Sequence, residues 1–263
     1  MTIRLITLGG LRGSLDGAEI ERLTSQELSA ALLVYLSIER SATRDALMAL
    51  LWPDQDAETA GHRLSQLLYS LRRMLGEDCL DGRGREVRAG ASLEVDAREF
   101  EHAAEGGQPA EAVALYGGPF LNGVHLAGTT GFESWVDGRR ARYGRLFRRV
   151  CKALVDKRSA AGDSAGAIAA ARAWVAPDPL DDEAQHRLIE QLACAGERLE
   201  ALKQYGRYEE LLKADGLEAL DETKELVRRT RDSRPCPAPW NSWRRSPSWE
   251  RLTRGSPRSR RVV

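Results

Sequence analysis

The residues best suited to chemistry lie on one short stretch, Ala60 to Leu75, which reads A-G-H-R-L-S-Q-L-L-Y-S-L-R-R-M-L. Wound as a helix, it gathers His62, Gln66, Tyr69 and Arg73 on one side, flanked by Arg63, Ser65 and Ser70, with Arg72 at the edge. Hydrogen-bond donors, an aromatic ring and positive charge on a face without a carboxylate suit the recognition of phosphates and base edges. Bond-making chemistry has no comparable set. His62, His102, His125 and His186 sit in unrelated contexts, and no Ser/His/Asp or Cys/His group has motif spacing. Cys79, Cys151, Cys194 and Cys236 are far apart, and none pairs with a histidine at metal-ligand spacing. Neither zinc nor a disulfide framework is indicated, and the compartment reads as reducing. Gly9, Gly10, Gly13 and Gly17 are followed by a hairpin signal and by no Lys-Ser or Lys-Thr, so they read as turn glycines rather than a phosphate loop. The expectation is a protein that is not an enzyme, with no catalytic residue, no metal and no cofactor.

What holds that face outward is an apolar stripe. Ala60, Leu64, Leu67, Leu68, Leu71 and Leu75 recur at helical spacing and belong in a core. An ordinary solvated face mixes signs, whereas here the acids cluster before the helix (Asp54, Asp56, Glu58) and after it (Glu77, Asp78). Upstream, short apolar runs and the turn Leu15-Asp16-Gly17-Ala18 predict a small antiparallel sheet. Thr24-Ser25-Gln26-Glu27 has capping-box spacing, with Thr24 as N-cap and Glu27 reaching back, ahead of a helix face of Leu28, Ala31, Leu32, Tyr35 and Leu36. A second helix runs from about Thr43 to Trp52 and stops at Pro53. The two-faced helix follows the polar loop Pro53 to Glu58 and ends at Gly76. Glu86-Val87-Arg88 and Leu93-Glu94-Val95 then suggest a hairpin carrying Arg83, Arg85 and Arg88. Sheet, three helices and terminal hairpin is the order of a winged helix, whose third helix enters the major groove while the wing touches the backbone or minor groove.

At 263 residues the chain is long enough for two domains. Its net charge of zero hides an uneven distribution. Residues 1–95 carry 11 Lys+Arg and 14 Asp+Glu, residues 96–232 carry 20 and 24, and residues 233–263 carry 8 and 1, giving −3, −4 and +7. The first segment is therefore no DNA-coating protein and relies on one helix and its neighbours. Beyond residue 96 the sequence is helical and repetitive. Ala161-Gly162-Asp163-Ser164-Ala165-Gly166-Ala167-Ile168 matches Ala195-Gly196-Glu197-Arg198-Leu199-Glu200-Ala201-Leu202 at an offset of 34 residues, the tetratricopeptide period. A looser third copy starts at Gly107 and reaches Tyr116. Trp135, Trp174, Tyr143 and Tyr205 fit inter-helix packing better than a ligand cage. From Ser233 the chain turns to Pro, Ser and Arg, a composition expected of a disordered basic tail. Its Trp240, Trp243 and Trp249 suit either stacking on bases or an extension with no selected role. No apolar run of membrane-spanning length occurs and the start lacks a signal-peptide core, so the expected setting is cytoplasmic with no membrane partner.

These residues resemble a known family, the bacterial transcriptional activators of the antibiotic regulatory protein (SARP) type, which join an OmpR-like winged helix to a bacterial transcriptional activator domain. The resemblance is carried by L-M-A-L-L-W-P (47–53), by A-x-x-x-L-x-x-x-L-x-x-L-R-R-x-L-G from Ala60 to Gly76, and by V-D-A-R-E-F-E (95–101). It continues through L-Y-G-G-P-F-L-N-G (115–123), F-E-S-W-V-D-G-R-R-A-R-Y (132–143), D-P-L-D-D-E-A-Q-H-R-L (178–188) and A-L-K-Q-Y-G-R-Y-E-E-L-L (201–212). Two departures are the K-A-D-G-L-E-A-L-D-E-T segment (213–223), where the family has an acidic-Leu-Gly turn, and the tail after Ser233.

The resemblance implies a mainly α fold with small β content, an N-terminal winged helix-turn-helix followed by an all-α tetratricopeptide-like repeat domain. The expected domains are residues 1–95, residues 96–232 and a tail at 233–263. It also implies a sequence-specific DNA-binding regulator that recruits RNA polymerase at promoters with direct repeats, as a homodimer on double-stranded DNA. Carried over by position are Arg63, Gln66, Tyr69, Ser70, Arg72 and Arg73 on the recognition helix and Arg85 and Arg88 on the wing. Gln66 and Ser70 suit base reading, while Arg72 and Arg73 suit phosphates. Asp54, Asp56 and Glu58 correspond to the polymerase-contacting loop of OmpR-like activators, or form a plain connecting loop. The alternative is a helical-repeat scaffold or effector sensor whose winged helix mediates protein contacts, against which the acid-free outer face of residues 60–75 argues.

Overall fold

A computed structural model of the chain describes residues 2–20, 26–82, 84–124 and 130–232. Strands β1 (Ile3–Ile6), β2 (Arg12–Leu15) and β3 (Ala18–Glu19) form an antiparallel meander. In β1 the side chains alternate as a half-buried strand requires, with Ile3 and Leu5 inside. Helix α1 (Glu27–Glu39) is central. Leu32, Leu33, Val34 and Leu36 are all shielded from solvent, so it buries most of its circumference rather than one stripe. Gln26 stands at the N-cap of the described helix without a side-chain hydrogen bond. Thr24, the expected cap, lies outside the described residues.

β4 (Ser41–Thr43) leads into α2 (Arg44–Leu51), where Thr43 Oγ1 accepts from the Ala46 amide at 3.1 Å. α3 (Ala57–Leu75) starts three residues before its apolar stripe does, because Asp56 accepts from the Thr59 amide at 2.9 Å and caps the helix there. Ala60, Leu64, Leu68, Leu71 and Leu75 are buried against α2 and α1, as the periodicity predicts, while Leu67 of the same stripe is only half-buried. A 3₁₀ turn, Glu77–Cys79, connects to β5 (Leu80–Asp81), which pairs antiparallel with β6 (Glu86–Ala89), and β6 also pairs with β4.

The hairpin read between residues 86–88 and 93–95 does not form. β7 (Leu93–Val95) runs parallel to β1, with Val95 opposite Leu5, and completes the sheet order β3-β2-β1-β7. That pairing buries Leu93 and Val95 beside Ile3 and Leu5, a long-range gain that local alternation does not reveal. α4 (Asp96–Glu105) begins at once. The buried Asp96 carboxylate accepts from the Thr7 amide at 2.8 Å, the Thr7 hydroxyl at 2.6 Å and the Leu8 amide at 3.0 Å. α5 (Pro109–Leu115) ends before Tyr116, whose ring stacks on Phe147 at 4.0 Å, so the third repeat copy lacks a full second helix. The following Gly-Gly-Pro-Phe-Leu segment lies along residues 7–9, through Gly9 N–H to Pro119 O (3.0 Å) and Leu121 N–H to Thr7 O (2.7 Å).

Contacts divide the chain into two compact units between Phe147 and Arg148, inside α6 (Thr130–Ala160). The change of sequence pattern at residue 95 marks something different, the end of the winged-helix elements. Within the first unit Trp135 Nε1 donates to the Glu39 carboxylate at 2.6 Å, Arg139 pairs with the same carboxylate, and Arg140 donates to the Phe120 and Leu121 carbonyls at 2.8 and 2.7 Å.

Within the second unit, α7 (Ser164–Val175), α8 (Asp182–Cys194) and α9 (Arg198–Ala214) pack in succession. Gly162 and Gly196, the repeat-related pair, take φ of 72° and 82° and turn each helix into the next. Trp174 and Tyr205 are buried between helices, as is Tyr143 in the first unit, while Trp135 is half-buried and packs against Phe120 and Phe132. The buried Arg187 bonds Asp156 at 2.6 Å and Glu190 at 2.8 Å. Despite the departing 213–223 segment, α10 (Asp221–Arg231) buries Thr223 and Val227 and packs on α9 and α8.

Candidate nucleic-acid interface

The open face of α3 is built by exclusion. Its leucines occupy one side, so Arg63, Gln66, Tyr69, Ser70 and Arg73 are left exposed together, Tyr69 at 65%. Arg63 and Arg73 form no ion pair among the described residues. Gln66 is ordered from within the helix, its amide nitrogen 2.9 Å from His62 Nε2 one turn earlier. Nothing acidic stands between Ala60 and Leu75; the nearest carboxylates belong to the first turn and to Glu77 and Asp78 beyond the end. Arg72 and Arg73 also complement the negative end of the helix dipole, which is reason enough for arginine there without a ligand.

Arg85 is exposed on the β5–β6 hairpin and holds no ion pair among the described residues, whereas Arg88 grips one Glu86 oxygen through Nε (2.9 Å) and Nη2 (2.7 Å). That pairing keeps the Glu86 carboxyl below the usual carboxylate range. Arg83 lies outside the described residues. Arg72 turns back from the open face: its Nε donates to the Leu80 carbonyl at 3.0 Å. Beneath the helix, burial pushes the Cys79 thiol up to about 11, which makes it a core residue rather than a reactive one.

Of the three acids before α3, Asp54 is exposed in the loop, Asp56 is engaged as the N-cap, and Glu58 stands exposed in the first helical turn. One residue at the interface went unread in the sequence: Arg44, at the start of α2, reaches both Ser65 and Gly82. His62, already placed on the open face by its spacing, holds Gln66. The i, i+4 spacing of His62 and Gln66 is the local signal for that pair. Arg44 has no such signal, because its partners are 21 and 38 residues away.

The sequence pattern described as "Bacterial transcriptional activator domain" matches residues 84–231, more than half of the chain. The chain belongs to that family. With a winged helix ahead of the helical domain, it has the SARP arrangement. No curated protein matches it in sequence. Among solved structures it is similar to Mycobacterium tuberculosis EmbR in complex with low affinity phosphopeptide, with a TM-score of 0.58 and 20% identity. The match covers 89% of this chain and 66% of that chain, and at this identity the likeness is one of fold. Among the described residues no helix is long and apolar enough to cross a membrane.

Proposed function

We propose that the protein is a sequence-specific DNA-binding activator of the cytoplasm that recruits RNA polymerase at promoters with direct repeats. The observation that carries this reading is the acid-free open face of α3, with Arg63, Gln66, Tyr69, Ser70 and Arg73 exposed beside a wing bearing Arg85 and Arg88. Inserted in the major groove, Gln66 and Ser70 meet base edges and Arg63 and Arg73 meet phosphates. Arg85 is the wing cation best placed to give its whole charge to the backbone. Asp54, exposed ahead of the helix, and Glu58, exposed in its first turn, suit a basic surface on polymerase. One winged helix covers few base pairs, and pairing of protomers on tandem sites is assigned to the acidic helical repeats.

Gel retardation with genomic fragments tests the reading. Selective retention of a few fragments, lost on replacing Gln66, is the expected result. Uniform or no retention would overturn it in favour of a scaffold.

A further inference from the structure

The wing is a small one. β5 and β6 share only two paired positions, Leu80 with Ala89 and Asp81 with Arg88, and the sheet is completed by three pairs between β6 and β4. Arg44 adds a side-chain tie from that sheet to α3. Its amide donates to the Arg85 carbonyl at 2.9 Å, continuing the β4–β6 ladder one step past the Thr43–Glu86 pair. Its guanidinium then leaves the sheet: Nη1 donates to the Gly82 carbonyl at 3.3 Å, and Nη2 donates to Ser65 Oγ at 2.7 Å. Ser65 is itself fixed, donating to the Gly61 carbonyl at 2.9 Å, and it stands immediately before Gln66 on α3. From the other side Arg72 bonds the Leu80 carbonyl, and a methyl group on Gly82 would stand 2.7 Å from Arg72 Nη2. Both arms of the hairpin are thus held at their base.

Resting on the DNA-binding reading above, we propose that Arg44 is a positioning residue which fixes the wing to the recognition helix, so that wing arginines and base-reading face meet one duplex in a single register. Arginine suits the task because its planar fork reaches two acceptors in fixed, different directions; the ammonium of a lysine is a compact point charge on a flexible stem and does not hold them rigidly apart. Arg44 acts through the wing and takes no phosphate of its own.

The test uses the full chain. Hydrogen exchange of the amides in residues 80–89 is compared for wild type, Arg44→Ala, Arg44→Lys and Ser65→Ala, with thermal melts as a control. All three variants should speed that exchange by about twofold to tenfold, the worth of one lost hydrogen bond, while the melting midpoint stays within a few degrees. The duplex that wild type enriches from a random-sequence pool is then footprinted with hydroxyl radicals. Wing protection should disappear in each variant and helix protection remain, and Arg44→Ala/Ser65→Ala should be no worse than either single change. Unchanged exchange in all variants would overturn the tie. So would a Ser65→Ala and an Arg44→Lys that bind like wild type while Arg44→Ala alone lowers the log–log salt slope by about one, since Arg44 would then be a phosphate ligand. A wild type that enriches no duplex sinks the DNA-binding reading instead, and the exchange measurement still decides the tie.

Discussion

Gln66 and Arg73 lie two turns apart on the open side of α3 and should fail in different ways when removed. Arg73→Ala is expected to weaken binding to every duplex alike and to lower the log–log salt slope by about one, the counterion released by one phosphate contact. Gln66→Ala should cost about 1 to 3 kcal/mol on the enriched site only. Titrations of both variants against that site and against random DNA check this, and equal losses for Gln66→Ala would remove it as a base reader. Asp56 offers a second test that needs no DNA. The Thr59 backbone amide, then the Thr59 hydroxyl, hold its carboxyl below the usual carboxylate range. A carboxyl depressed in the fold stabilises above its unfolded value and loses that contribution as pH falls through the folded one. Asp56→Ala should therefore melt below wild type at neutral pH, and the difference should close as pH drops below about 4.

At the scale of elements, the last repeat carries the clearest acid sensitivity. His186 on α8 places Nδ1 3.0 Å from Thr223 Oγ1 on α10. Burial holds its pKa below the ordinary histidine range, outweighing Glu190, Glu222 and Glu183, while Arg187 pulls the same way as burial. The folded state prefers the neutral ring, so the unfolded chain takes up the proton first and stability falls as pH drops below about 6.5. His186→Gln keeps a hydrogen-bonding side chain and removes the titration. Thermal melts of the full chain between pH 7 and pH 5 should show a flatter profile for the variant; parallel profiles would mean that α10 does not sense this group.

For the whole molecule, the question is where the winged-helix piece ends. All winged-helix strands and helices lie within residues 1–95, yet Asp96 satisfies the Thr7 amide and hydroxyl and the Leu8 amide, and residues 119–121 lie along residues 7–9. Stranding a buried donor costs roughly 1 to 3 kcal/mol. Fragment 1–95 is therefore expected to melt well below fragment 1–147, as followed by circular dichroism; equal midpoints would show the added residues to be dispensable. With pairing assigned to the repeats, fragment 1–147 should fill a one-repeat duplex as the full chain does, but lose cooperative filling of a two-repeat duplex. Equal cooperativity in the two would place the protomer contact in the winged helix.

The amphipathic register of α3, the turn glycines of the 34-residue repeat and the exposed residues on the open face of α3 follow from the sequence by itself. Each depends on residues within a few helical turns, where spacing alone decides which side faces a core. Only the tertiary structure decided that β7 abandons the wing for β1, that Arg72 turns to Leu80, and that Arg44 joins hairpin to helix. Those outcomes rest on partners that local pattern does not supply: β7 meets its strand across the length of the winged helix, and an arginine side chain is long enough to choose among carbonyls, hydroxyls and phosphates. For the same reason the sequence marked Asp54, Asp56 and Glu58 as one acidic group, while folding turned Asp56 into the cap that starts α3.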